Sequence, residues 1–407
     1  MGSNPFSTTG AAATPAELPA AQRTARVPGS LIREILKATM RPGMISLAGG
    51  LPAPQSFPAE ALRAAFDAVL AADAAQALQY STTEGHPPLR EWIAAQETAR
   101  GVPTAADEVL IVSGSQQALD LIGKAMVDER QPLLVESPTY LGALQAFAPF
   151  GPACRSLPAD DAGLLPEAID AEVARGARLA YVMPNFQNPT GRTLSEGRRS
   201  ALAQAARRLD LWLVEDDPYG ELWYREAPPA SLRGHAPERT LRVGSFSKVL
   251  APGLRLGYVV GPRAAIDLLA RLKQATDLHT ATLTQHVVAR VLRDGLLEAQ
   301  LPRVRRLYAS QAAAMLAALR AHMPAGVRWS EPEGGMFVWL TLPGGIDTLR
   351  LLDRAIAAGV AFVPGAPFYA DNPRHDTLRL SFVTVPAETI DRGVATLAGL
   401  IAEELKR

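Results

Sequence analysis

The sequence predicts an α/β protein: a mostly parallel sheet with helices on both faces, a smaller α+β domain after it and an N-terminal arm before it. Three observations predict this. Short apolar runs alternate with helical segments through the middle of the chain, as expected of strands buried on both faces and joined by crossover helices. Several of those runs end in clusters of Gly, Ser, Asn or Asp, where an open α/β sheet places its ligand crevice. Beyond about residue 290 the pattern changes to helices mixed with short strands. A chain of 407 residues is long enough for two or three domains at roughly 150 residues each. The expected division is an arm with its helix over 1–45, a large domain over 46–290 and a small one over 291–407.

The elements follow in order. Residues 1–28 read as an arm, and Ser30 caps a helix that runs to about Thr39 before Arg41-Pro42-Gly43 stops it. Ile45-Ser46-Leu47 is a short extended piece ending in the turn formers Gly49-Gly50-Leu51-Pro52. Strands are expected over 110–113, 133–136, 179–183, 211–215, 241–245 and 257–260, with helices over 116–127, from about Tyr140, and over 195–209. Residues 264–322 are rich in helix. Short strands over 327–330, 336–340, 361–363 and 378–382 then mix with helices over 349–358 and 388–405.

Composition excludes several classes of function. Lys and Arg total 41, as do Asp and Glu, so no basic footprint for nucleic acid or an anionic membrane is expected. The single cysteine, Cys154, leaves no intramolecular disulfide and no cysteine-built zinc site. No apolar run approaches the ~18 residues of a membrane span. Met1 to Arg26 lacks the apolar segment of a secretory signal, so a cytoplasmic protein is expected. Only five of the basic residues are lysine, so a lysine in an unusual setting stands out.

Four expected strand ends carry polar clusters. Ser113-Gly114-Ser115-Gln116-Gln117 opens a helix, whose N–H groups and hydroxyls could hold a phosphate. Asn185 and Asn188 flank a Pro-Thr-Gly turn, Asp216 and Tyr219 follow the next strand, and Ser245, Ser247 and Lys248 follow the one after. Arg255 comes shortly before a Gly-flanked strand. Taken singly, each cluster reads as an ordinary cap, turn or solvated charge. Together they supply a phosphate cradle, a hydrogen-bonding asparagine, a carboxylate, tyrosines and one lysine. That inventory fits pyridoxal phosphate, which needs a lysine for covalent attachment, an acid for its ring nitrogen and donors for its phosphate.

With these motifs in this order, the sequence resembles the class I aminotransferases of the fold-type I pyridoxal-phosphate superfamily over roughly residues 30–400. The stretches Ile45 to Pro52 and Asp277-Leu278-His279-Thr280 resemble the 2-aminoadipate and kynurenine aminotransferase branch. The resemblance implies that Lys248 carries the cofactor and serves as base, and that Asp216 holds the ring nitrogen protonated. It implies that Asn188 and Tyr219 bind the ring's phenolic oxygen and that Tyr140 stacks on the ring. Ser115, Gln116, Ser245, Ser247 and Arg255 would surround the phosphate, while Gln117 is left unassigned because it can point away. Tyr80 matches a tyrosine that reaches the neighbouring subunit's phosphate, which implies a homodimer with shared sites. Arg379 would take the substrate α-carboxylate, with Gly50 and Asn188 as further donors.

Arg33, in the expected arm helix, would meet a side-chain carboxylate of substrates such as 2-aminoadipate or glutamate; aromatic and branched donors also remain candidates. No metal site is expected. The implied reaction is a ping-pong exchange of an amino group between an L-amino acid and a 2-oxo acid such as 2-oxoglutarate. Two alternatives stay open on the residues alone: another pyridoxal-phosphate enzyme, such as a lyase or decarboxylase, or a non-catalytic ligand-sensing domain. The same domain occurs fused to a DNA reader in some regulators, and with only the arm ahead of it that version is not expected here.

Overall fold

Seven short strands form the central sheet: β1 (Val109–Val112), β2 (Pro132–Val135), β3 (Ala153–Ser156), β4 (Leu179–Val182), β5 (Trp212–Asp216), β6 (Thr240–Ser245) and β7 (Gly257–Val260). The structure is a computed structural model that describes residues 19–27, 29, 34–35, 41 and 43–406. The expected helix over 30–39, with Arg33 in it, falls outside the described residues apart from Glu34 and Ile35.

The spatial order is β1-β7-β6-β5-β4-β2-β3. β2 to β6 pair in parallel, and β7 runs antiparallel to both its neighbours. The sheet is therefore mixed but mostly parallel. Central strands such as Val-Leu-Ile-Val (β1) and Leu-Ala-Tyr-Val (β4) are buried at every position, which is why they read as continuous apolar runs.

Expected and observed boundaries of these strands differ by one residue at most ends, where hydrogen bonding rather than polarity marks the limit. β3 is not foreseen, because Ala-Cys-Arg-Ser alternates exposed and half-buried at the sheet edge and carries no apolar run. Helices α1 (Ala59–Ala77) and α2 (Pro87–Ala99) also go unforeseen. Of α1 only Ala65, Val69 and Ala77 are fully buried, a face of residues too small to register as a strong apolar stripe.

The crossover helices include α3 (Ser115–Met126), α4 (Leu141–Phe147) and α5 (Glu196–Arg208), the last capped by Ser195 Oγ, which accepts from the Arg198 amide. Helices α6 (Arg263–Asp277), α7 (Thr282–Arg293) and α8 (Leu296–His322) lead to the second sheet. Arg305 of α8 is turned inward from the solvent. Its guanidinium packs over the Trp223 ring at 3.8 Å and donates to Glu221.

The second sheet is antiparallel: β8 (Arg328–Trp329), β9 (Phe337–Thr341), β11 (Thr377–Ser381) and β10 (Val363–Pro364), in that order. It packs with helices α9 (Thr348–Ala357) and α10 (Ala387–Glu404). Ile45 and Ser46, at the expected start of the large domain, pair with Val360 and Ala361, and the Ser381 amide donates to the Leu47 carbonyl. The entry segment thus runs along the C-terminal sheet and delivers Ala48 to Gly50 to the cleft between the two sheets.

A buried ion network braces the end of β5 and β6. Arg242 donates to Glu97 at 2.7 Å and to Asp217 at 2.9 Å, and all three side chains are buried. Removing the cation would strand two carboxylates in the interior. Arg242→Ala should therefore destabilise the fold by about 3–5 kcal/mol, seen as an earlier unfolding midpoint in urea or on heating. A loss comparable to that of an exposed pair such as Arg63–Glu60 would show that the network contributes little.

Candidate active site

Three consecutive carboxylates close β5, and the surroundings treat each differently. Glu215 accepts the Leu232 and Arg233 amides at 3.1 Å, and burial raises its pKa. The Asp217 side chain is also largely buried, yet Arg242 and the Asn185 side chain hold it below the usual carboxylate range. Asp216 points the other way. Its Oδ2 accepts from Tyr181 Oη at 2.7 Å, while Oδ1 is buried with no protein partner. Burial pushes Asp216 up to about 7; the Tyr181 hydrogen bond works against that and the Asp217 charge adds to it.

Lys248 lies in the turn after β6, where the Ser247 amide donates to Ser245 Oγ at 3.2 Å. Its ammonium donates to the Gly50 carbonyl at 2.8 Å. Burial first, and then the charges of Arg379 and Arg255, bring it down to about 8. The other described lysines sit elsewhere: Lys124 pairs with Asp120 on α3, Lys273 is buried against Asp277, and Lys406 is exposed beyond the last helix.

Arg379, on β11, is 1% exposed and reaches across the cleft. It donates to Asn188 Oδ1 and to the Ala48 carbonyl, both at 2.7 Å. Its guanidinium lies 4.2 Å from the Phe337 ring centre and 5.3 Å from that of Phe368. Burial lowers its pKa to about 10, and its Nε–H has no partner. A desolvated arginine with a free N–H, held by neutral groups, is a seat for a carboxylate.

Tyr219 and Tyr140 complete the cluster. Burial raises both, Tyr140 to about 12, and each feels Asp216 and Arg379; Tyr219 also hydrogen-bonds Asn188. The structure therefore brings Lys248, Asp216, Tyr219, Tyr140, Asn188, Arg379 and Gly50 to one crevice at the carboxyl ends of the parallel strands.

The rim of the crevice draws the start of α3 and an arginine close together. Gly114, at φ 88°, caps α3, and a Cβ there would meet Arg255 Nη2 at 2.7 Å. Gly257 allows β7 the same close approach, since a Cβ would lie 3.1 Å from the Ser115 amide nitrogen. Arg255 adopts a left-handed backbone (φ 52°) and donates to the Ser113 carbonyl at 3.2 Å. Ser115 starts the helix, and Gln116 donates to the Gly142 carbonyl beside Tyr140.

Other expected residues stand apart. Gln117 turns away from the crevice: its Oε1 accepts the Ser113 amide and its Nε2 donates to Asp277. Asn185 accepts from Arg199 and braces the loop from behind. Tyr80 is 77% exposed and meets only the edge of His279 among ring contacts. Two features of the crevice escape the sequence reading. Tyr181 is hidden in an apolar strand, although a buried tyrosine hydroxyl needs a partner and could have been asked for one. Phe337 and Phe368 meet Arg379 only through folding and leave no local signal.

These groups fit pyridoxal phosphate on their own chemistry. There is an amine of lowered pKa, a carboxylate with one buried free oxygen for a ring N–H, and a helix N-terminus with an arginine for the phosphate. In the ligand-free protein, competitive acylation should find Lys248 titrating near pH 8, because its surroundings disfavour the ammonium and free the neutral amine as pH rises through that value. A midpoint near the ordinary lysine value would contradict this electrostatic picture.

Known proteins agree with this geometry. The family described as aminotransferase class I and II matches residues 43–397. A 2-aminoadipate transaminase of Thermus thermophilus is 45% identical, over 93% of this chain and 96% of that protein. An aromatic-amino-acid aminotransferase of Thermococcus litoralis is 42% identical, over 93% of each chain. A crystal structure of Pyrococcus horikoshii kynurenine aminotransferase superposes with a TM-score of 0.91 at 42% identity, covering 95% of this chain and 98% of that one. Sequence and fold are similar to these relatives over nearly the whole chain, and the chain belongs to the class I and II aminotransferases as a pyridoxal-phosphate-dependent enzyme of the 2-aminoadipate and kynurenine branch.

Proposed function

We propose that this aminotransferase carries its cofactor on Lys248, takes amino groups from acidic and aromatic L-amino acids, passes them to a 2-oxo acid such as 2-oxoglutarate, and works as a homodimer with shared sites. The observation that carries the reading is the convergence of Lys248, the free oxygen of Asp216 and Arg379 on one crevice. Pyridoxal phosphate, when bound, supplies the electron sink and the carrier for the amino group.

The protein's part is positional and electrostatic. Arg379 binds the substrate α-carboxylate through its free N–H groups, with Asn188 and the Gly50 backbone beside it. Lys248, whose burial beside Arg379 and Arg255 favours the neutral amine, takes the proton from substrate Cα. Asp216 keeps the ring nitrogen protonated through Oδ1. Asn188 and Tyr219 bind the phenolic oxygen, and Tyr140 covers the ring face. Ser115, Gln116, Ser245, Ser247 and Arg255 hold the phosphate at the N-terminus of α3.

The relatives' named substrates, aromatic amino acids, 2-aminoadipate and kynurenine, support a donor range that spans acidic and aromatic side chains. Arg33 is assigned to the acidic ones. Exposed Leu78 (67%) and Leu278 (53%), beside the Tyr80–His279 contact, support a face that a second copy covers. Among the described residues no helix is long and apolar enough to cross a membrane. We assign the enzyme to the cytoplasm, where a lone cysteine stays reduced. The proposed division into domains over 46–290 and 291–407 sets Arg379 and Lys248 on opposite sides of the cleft.

With donor alone, the enzyme should release one equivalent of 2-oxo acid per chain and stop, and 2-oxoglutarate should restart it. Continuous product formation without acceptor would indicate a lyase or decarboxylase. Across a donor panel, Arg33→Ala should raise KM for 2-aminoadipate and glutamate about ten-fold or more and leave phenylalanine-type donors nearly unchanged, as loss of a charge-assisted pair requires. Equal losses in both classes would remove Arg33 from substrate reading.

Shared sites predict complementation. A Lys248→Ala chain paired with a Tyr80→Ala chain rebuilds one intact site per heterodimer, so refolded mixtures should exceed both parents in activity. A mixture that only averages its parents, or a monomer in sedimentation, would contradict the shared site.

A further inference from the structure

The carboxylate that faces the cofactor is itself held by a group on the neighbouring strand. Tyr181 of β4 pairs with Val214 of β5 in parallel register, and Asp216 lies two residues further along the same face. The Tyr181 ring therefore runs toward the carboxyl end of the sheet, and its hydroxyl donates to Asp216 Oδ2 at 2.7 Å. The side chain is fully buried, and the ring packs edge-on against Phe147 with centres 6.1 Å apart.

We propose that Tyr181 is a positioning residue for this reaction: by occupying Oδ2 and stabilising the carboxylate form, it leaves Oδ1 of Asp216 ionised and available to the cofactor's ring nitrogen. The inference rests on the assignment of Asp216 to that nitrogen. Four groups act on or near the Tyr181–Asp216 pair: Asp217 next in the chain, whose charge disfavours ionisation of Asp216, the phenols of Tyr140 and Tyr219, which are themselves raised by burial, and the buried Glu136 carboxyl, which acts on Tyr181. No described cation forms an ion pair with Asp216; Arg242 is committed to Glu97 and Asp217. The Tyr181 hydroxyl is thus the protein donor that favours the charged form. Without it, burial and Asp217 push the carboxyl toward its neutral state, which donates a proton to a ring nitrogen and does not hold one there.

The test is Tyr181→Phe, which keeps the ring packed on Phe147 and deletes only the donor; circular dichroism and the unfolding midpoint check that the fold is kept. Holoenzyme loaded with cofactor labelled with ¹⁵N in the ring reports the protonation of that nitrogen by NMR. Wild type should keep it protonated from pH 6 to 9, whereas in Tyr181→Phe that proton should pass to Asp216 Oδ1, moving the nitrogen signal toward its unprotonated position across the same range. Cofactor affinity should weaken about ten- to a hundred-fold, and kcat should fall with little change in KM for the donor. An unchanged ¹⁵N profile in Tyr181→Phe, with the proton lost in Asp216→Asn, would overturn the role of Tyr181 alone. An unchanged profile in both variants would overturn the assignment of Asp216 and this inference with it.

Discussion

Arg242 makes the site possible, although no substrate would touch it. β5 ends in Glu215-Asp216 and Asp217 follows at once, three carboxylates at the exit of a strand whose last four residues are buried. Burying one ionised carboxylate is costly, and burying three side by side is prohibitive unless each finds a partner. Glu215 takes two backbone amides, and Asp217 takes Arg242, which Glu97 balances from α2. With its neighbours settled, Asp216 can be left with one oxygen on Tyr181 and the other open.

The same economy runs through the rest of the crevice. Arg379 is held by one side-chain amide oxygen, one backbone carbonyl and two aromatic faces, so its charge is oriented without being neutralised. Lys248 is lowered toward neutrality by burial and by Arg379 and Arg255 rather than fixed in an ion pair. The contrast with Lys273 is instructive. That lysine is fully buried but paired with Asp277, and through Gln117 it secures the turn that opens α3. Lys273 is tied to an acid in the scaffold; the half-buried Lys248 is tied to none.

Much of this was legible in the sequence because parallel strands advertise themselves as apolar runs, and the polar residue just past each run falls at the ligand side. Lys248, Asp216, Asn188, Tyr219 and the Ser-Gly-Ser turn are all of that kind, and they lie within a few residues of the strand ends. Gln117 shows the limit of the rule. It sits in the motif, but helix periodicity rotates it about a third of a turn from Gln116 and into the Asp277 network. Tyr181 failed for the opposite reason, since a phenol inside an apolar strand reads as core until its hydroxyl partner is known. Phe337 and Phe368 were invisible, because contacts with Arg379 made by the second sheet and the loop beside it have no local signature. The edge strand β3 went unread because half its residues face solvent.

The central claim is that Lys248, and no other amine, carries the cofactor. Borohydride reduction of the holoenzyme followed by peptide mapping tests it most directly, because the reduced linkage is stable to digestion. The account predicts a single phosphopyridoxyl label on the peptide containing Ser245-Phe246-Ser247-Lys248. A label on Lys124 or Lys273 in its place would contradict the assignment and, with it, the arrangement of acid, base and anion cradle built around that lysine.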